Sequence, residues 1–377
     1  MAGRSGRGKA GRTAGDASAA EPSPSPPRRP RLAALLAVGF LLVGVAAFAL
    51  LRSRGVVRRE AGLDVLLITI DTLRADALGG YGNTKVETPW IDRLAAQGVR
   101  FEQAHAQSVV TLPSHANILS GLYPLDHGIR DNAGFRFPAG KDTLATPLKA
   151  RGYRTGAFVS AFPLDSRFGL DRGFDVYDDR FTNVDTHTAF VIEERRGSET
   201  VSVARQWIAA QGEGPFFCWV HLYDPHFPYD PPQPFDSRFA GDLYHGEVSA
   251  ADAALGPLPE PLLRDGRTGH TLVVLTSDHG ESLGEHGERT HGIFVYEATL
   301  HVPLILFAPR LFGPRVVPEP CATWTFGLLL LKAGRSAEAR PYLERFVREA
   351  PPAQYSGDIA KIRGWRGSPV PGRPPEG

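Results

Sequence analysis

Several short segments of this chain hold residues that could assemble a cation site beside a hydroxyl nucleophile. Asp71 follows the apolar run Asp64-Val65-Leu66-Leu67-Ile68-Thr69-Ile70, and Asp278-His279 follows Thr271-Leu272-Val273-Val274-Leu275-Thr276-Ser277. His221 ends the run that starts Phe216-Phe217-Cys218-Trp219-Val220, with Asp224 and His226 just beyond it. Carboxylates and imidazoles are ligands of divalent cations. Thr111 opens the string Thr111-Leu112-Pro113-Ser114-His115-Ala116-Asn117, which reads as the start of a helix with the hydroxyl at the N-cap. There it would face unpaired backbone N–H groups and the positive end of the helix dipole, where a developing oxyanion is stabilised. A hydroxyl ionises far above neutral pH, so it needs a cation to become a useful nucleophile. Each fragment alone has a plainer reading: a Thr before a helix is a cap, and an Asp after a strand closes a turn. Their joint placement at strand ends points to a site.

The elements that must position these residues alternate. The runs starting at Asp64, Phe216 and Thr271 are continuous and apolar, as strands buried on both faces should be. Thr88-Pro89 starts a helix that ends near Gly98, residues 142–150 form another closed by Gly152, and Ala157-Phe158-Val159 is a further strand. The expected fold is therefore α/β: a doubly wound, largely parallel sheet with helices on both faces. Ligands of such sheets gather beyond the carboxyl ends of the strands, where these polar residues fall.

The chain has 377 residues and a net charge of +1, a balance that gives no footprint for a nucleic-acid partner. Its two cysteines, Cys218 and Cys321, exclude a disulfide scaffold and a cysteine zinc ribbon. Residues 1–31 are basic and lack large apolar side chains, so they read as disordered. Residues 32–51 carry no charge and are long enough to cross a bilayer. An uncleaved single-pass anchor is favoured over a signal peptide, with the catalytic region, residues 62–312, on the extracytoplasmic side. Basic residues flank the span on both sides, so its orientation rests on the more distant Arg4, Arg7, Lys9 and Arg12.

The ordered strings Ile68-Thr69-Ile70-Asp71-Thr72-Leu73-Arg74-Ala75-Asp76, Thr111-Leu112-Pro113-Ser114-His115, Gly121-Leu122-Tyr123-Pro124 and Thr276-Ser277-Asp278-His279-Gly280-Glu281 resemble the sulfatase branch of the alkaline phosphatase superfamily. Tyr296-Glu297 and Val302-Pro303 match a later landmark of that family. The resemblance implies that Asp71, Asp278 and His279 hold a metal and that Thr111 is both ligand and nucleophile. Asn132 falls where related phosphodiesterases keep a phosphate-binding Asn. His226 and His291 resemble the substrate-side His and Lys, which bind the ester or protonate the leaving group.

The departures matter as much. Sulfatases place Cys or Ser where this chain has Thr111, and Arg where it has His115. Thr cannot be converted to formylglycine by the same chemistry, so no such cofactor is expected. The Thr is similar instead to phosphodiesterases and phosphotransferases of the superfamily, which favours phosphorus over sulfur. The donor set suits Zn or Mn before Ca. The spacing of Asp224 and His226 differs from that of two-zinc phosphodiesterases, which leaves a second metal open. Phe227 and Tyr229, set among prolines, make either a rigid loop or an aromatic rim for substrate, and Arg74 with Asp76 is placed to brace the first site loop.

Residues 321–353 resemble a single tetratricopeptide repeat, followed by a tail over 354–377. One repeat cannot bury its own face, so it would pack on the domain or on a protein partner. Three functions follow: a membrane-anchored, metal-dependent hydrolase of anionic phosphoric or sulfuric esters, a phosphotransferase to cell-envelope polymers, or an inactive relative that binds through its tail.

Overall fold

The computed structural model describes residues 60, 62–181, 183–185, 192–264 and 270–322. The expectations for 1–31, for the anchor at 32–51, for the repeat beyond residue 322 and for the tail lie outside the described residues. No helix among the described residues is long and apolar enough to cross a membrane.

The strands are β1 (Asp64–Ile70), β2 (Val99–His105), β3 (Arg154–Phe158), β4 (Val176–Asp178), β5 (Asn183–Asp185), β6 (Ile192–Glu194), β7 (Phe216–Leu222), β8 (Thr271–Ser277), β9 (His301–Phe307), β10 (Arg315–Val317) and β11 (Cys321–Ala322). The main sheet runs β10-β2-β9-β8-β1-β7-β3-β4, with β11 also on β2, while β5 and β6 pair separately. Parallel pairing holds for β1 with β7 and β8, for β3 with β7 and β4, and for β10 and β11 with β2. The exception is β9, antiparallel to both β2 and β8. The chain leaving β8 builds a loop at the carboxyl edge and stays there, so β9 starts at that edge and must run back. The sheet is thus mixed.

The central strand sorts its side chains by parity. Leu66, Ile68 and Ile70 pack on one face with Ile91 and Leu94 of α1 (Pro89–Gln97), Val201 and Ala204 of α3 (Gly197–Ala209), and Tyr244 and Val248 of α4 (Leu243–Leu255). Val65 and Leu67 pack on the other with Leu112, Ala116 and Leu119 of α2 (Thr111–Ser120). Two apolar layers therefore clamp β1, and its end is held rigidly enough to aim a polar side chain.

Two expected boundaries move. The helix expected over 142–150 is only Ala145–Lys149. Pro147 has no N–H to donate and so fits only a first turn, which bars an earlier start. The sheet also continues past residue 312: β10 and β11 extend the pairing of β2 to Ala322. Cys321 and Ala322 are therefore strand, covering an edge that would otherwise expose unpaired backbone groups.

Candidate active site

Register brings the first two ligands together. Ile70 of β1 lies opposite Ser277 of β8, so Asp71 and Asp278, each the next residue, leave adjacent parallel strands at the same level. Both carboxylates and the His279 imidazole are fully buried. Thr72 then turns the chain with φ 53°, a left-handed conformation uncommon for Thr. Three bonds hold it there: its N–H donates to Asp278 Oδ1 at 3.3 Å, its hydroxyl to Pro225 O at 3.0 Å, and its carbonyl accepts from Tyr244 OH at 2.9 Å.

Each ligand has one atom tied and one free. Asp71 Oδ2 faces His221 Nε2 at 3.4 Å, and His221 Nδ1 accepts the Ser160 N–H at 3.3 Å, which fixes the ring. Asp278 Oδ1 accepts from the N–H of Thr72 and, at 2.8 Å, of His279. His279 Nδ1 donates to Gly280 O at 3.0 Å. The remaining atoms, Asp71 Oδ1, Asp278 Oδ2 and His279 Nε2, are buried without a hydrogen-bond partner. A donor atom from each of the three residues lies within 4.8 Å of the other two.

Burial raises both carboxyls, Asp71 to about 7 and Asp278 well above its usual range, and depresses His279. Two carboxylates and a neutral imidazole out of water, with their free atoms converging, are the donor set of a divalent cation. The residues fit the group. Gly280 is required beside them, since a Cβ there would stand 2.1 Å from Ala298 O.

Thr111 is the first residue of α2, with Val110 in the cap position, so the expectation that it is the N-cap shifts by one residue. Its hydroxyl lies near enough to Asp71 to pull that carboxyl's pKa down against the effect of burial. The Asn132 side-chain carbonyl accepts the Leu112 N–H at 2.8 Å, which brings Asn132 to the same helix end. His115, where sulfatases carry Arg, is completely buried. Its Nδ1–H donates to Thr111 O at 2.9 Å, while Nε2 meets Thr69 Oγ1 at 3.1 Å, itself an acceptor from Trp219 Nε1 at 2.9 Å. His115 thus positions Thr111 from below and does not face an incoming ester.

His226 and His291 come together at the mouth, with ring centroids 5.0 Å apart, and His291 lies 4.4 Å from His279. Burial disfavours the His291 cation, but the hydrogen bond from its Nδ1 to Glu281 Oε1 at 2.9 Å and the charges of Glu281, Asp71 and Asp278 outweigh that and raise its pKa. Burial, reinforced by the charge of His291, keeps His226 neutral. Asp224 is engaged elsewhere: its Oδ2 accepts the Gly197 N–H at 2.9 Å at the start of α3, and Arg196 lies 3.7 Å from its Oδ1. It does not join the cation cluster.

Sequence reasoning missed His221 and Glu281 as supporting groups. His221 was visible only as another strand-end ligand, and its true partner depends on the β1–β7 register, Thr69 opposite His221. Glu281 sits in a recognisable string, yet nothing in that string shows that it reaches His291.

The family model described as Sulfatase matches residues 64–325, more than half of the chain. The chain belongs to the sulfatase family. An ulvan-active sulfatase of Formosa agariphila is 27% identical over 293 residues, covering 65% of this chain and 56% of that protein. An arylsulfatase of Clostridium perfringens is 23% identical over 333 residues, covering 65% of this chain and 68% of its own length. The alignment therefore spans less than two thirds of the first of these sulfatases. The phosphonate monoester hydrolase of Agrobacterium radiobacter shares the fold, with a TM-score of 0.61 and 20% identity over 72% of this chain and 73% of its own. This sulfatase-family chain departs from the usual pattern at Thr111 and His115.

Proposed function

We propose that the chain is a metal-dependent hydrolase that cleaves anionic phosphoric or sulfuric esters through Thr111, with phosphorus esters preferred. The observation that carries this reading is the convergence of the free Asp71, Asp278 and His279 atoms beside the Thr111 hydroxyl. Preference for phosphorus rests on the nucleophile, since Thr cannot become formylglycine.

A divalent cation held by those three residues supplies Lewis acidity, lowering the cost of the Thr111 alkoxide and of charge on the ester oxygens. The rest falls to the side chains. The Asn132 side-chain NH2, held in place by its carbonyl's bond from Leu112, and the Thr111 N–H hold the equatorial oxygens. Thr111 Oγ attacks phosphorus, the new Oγ–P bond forms, and the bond to the leaving alcohol breaks. The hydroxyl proton passes to neighbouring Asp71, and His291 gives a proton to the alcohol oxygen. Neutral His226, its Nδ1–H donating to Phe227 O, presents the Nε2 lone pair and accepts a hydrogen bond from the departing alcohol or the incoming water. Water then displaces Thr111 Oγ from phosphorus and gives a proton to His291 in place of the one lost with the alcohol, while the proton on Asp71 returns to Oγ and Thr111 is restored.

The reading includes attachment to a membrane through residues 32–51, supported by their uninterrupted apolar composition. Elemental analysis, turnover of a nitrophenyl phosphodiester with Mn or Zn, and mass spectrometry of a trapped Thr111 adduct test the proposal. Thr111→Ala should abolish turnover. Faster cleavage of nitrophenyl sulfate would overturn the preference for phosphorus, and absence of both metal and turnover would favour the inactive relative.

A further inference from the structure

Exposure changes in steps from the cation cluster outward. His279 is fully buried, His291 and His226 are partly exposed, and the residues that follow them in the chain are apolar and open. Phe227, next to His226, is 46% exposed, while Ile293 and Val295, just beyond His291, are 77% and 66% exposed, with Phe294 between them at 40%. Consecutive Cα atoms are about 3.8 Å apart, so the backbone of Phe227 lies one step from His226, and those of Ile293 and Val295 lie within about 8 and 15 Å of His291.

The loop that carries them is fixed. Glu288 is buried, and its carboxylate accepts the N–H groups of Ile293 at 2.9 Å and Phe294 at 3.2 Å. Thr299 Oγ1 donates to Phe294 O at 3.0 Å, and His286 stacks on Tyr296 with centroids 3.7 Å apart. A buried carboxylate thus holds apolar side chains out in water beside a polar centre. Ligand sites commonly have this make-up, with a few polar groups set among apolar ones, and exposed apolar patches of this kind mark contact sites.

We infer that the ester accepted here is amphiphilic: its anionic centre sits against Thr111, and an alkyl chain or aromatic ring lies along Phe227, Ile293 and Val295. The inference rests on the proposed ester-hydrolase reading and adds its substrate class.

Binding and turnover separate the two. Dissociation constants of methylphosphonate and octylphosphonate are measured by calorimetry on the Mn-loaded full chain, with hydrolysis of methyl nitrophenyl phosphate assayed alongside. The readout is the ratio of the two constants. It should be about tenfold or more in favour of the octyl compound, within the roughly fourfold ceiling per buried methylene. It should fall below about threefold in the double variant Ile293→Ser, Val295→Ser, whose sites are exposed enough to spare the fold. A ratio near one, no binding of either phosphonate, or a ratio unchanged in the double variant overturns the inference. So does sedimentation showing that the wild type self-associates through this rim while the double variant does not. A chain-length effect without hydrolysis would sink the catalytic reading and leave the rim standing.

Discussion

Ser114 Oγ donates to the backbone carbonyl of Asp278 at 2.6 Å, with both residues buried. This bond ties the second turn residue of the nucleophile helix directly to the strand end that carries two cation ligands. It sets the spacing between Thr111 and Asp278 without passing through either functional side chain. Ser114→Ala should therefore cost about 1–3 kcal/mol, because the Asp278 carbonyl is left unpaired in the interior. Urea unfolding measures the loss, and kcat should fall more than KM rises as the nucleophile loosens.

Asp278→Asn carries an inverted expectation. Asn keeps a carbonyl oxygen to accept from Thr72 and His279 but has no carboxyl that must either stay charged beside Asp71 or take up a proton on burial. Without added metal the variant should unfold at a higher temperature than the wild type. With Mn or Zn only the wild type should gain stability, by about 2.7 kcal/mol at a hundredfold excess over its dissociation constant. Thermal scans with and without metal and chelator decide it.

Glu247 gives a pH signature away from the cation cluster. Burial, reinforced by the charge of Asp224, pushes its carboxyl up to about 9 from an ordinary 4.5. The folded state therefore holds a proton that the unfolded state has released. Its contribution to stability is fully present below about pH 4.5 and is lost as pH rises toward about 9. Glu247→Gln should flatten that decline, read as the difference between wild-type and variant unfolding free energies across the window.

The Glu281–His291 pair predicts a shift in the rate profile. In the proposed mechanism His291 acts as the cation, so activity should fall as pH rises through its pKa. Burial lowers that pKa, and Glu281 together with the charges of Asp71 and Asp278 outweighs it. Glu281→Gln removes the foremost of the raising contributions, so the alkaline limb of kcat should move to lower pH. An unmoved limb would remove His291 from the proton-transfer role.

Asp71, Asp278, His279 and Thr111 were legible because each sits next to a strand or helix end that hydrophobic patterning exposes. The groups that orient them were not. His221, Glu281 and the Trp219–Thr69–His115 chain act across separate elements, and only register and packing show which atoms meet. The same limit applies to β9: Val302-Pro303 marked only a family landmark, and nothing in the pattern of residues 301–307 distinguishes antiparallel from parallel pairing. The late start of the helix over 145–149 was legible in Pro147, and its consequence emerges once the first turn is located.

The pairing of β1 with β8 bears on how the chain is made. A ribosome that has released residues only as far as 270 has delivered β1, β7, β3 and β4, a run of neighbours that can already assemble. The other edge of β1 is still open, β2 has no β9 to join, and Asp71 waits without Asp278 or His279. Assembly of the three candidate ligands must therefore follow a strand pairing between distant parts of the chain, a slow class of contact. A nascent chain stalled before β8 would present both a sticky strand edge and half a coordination sphere, and the same docking event closes the two together.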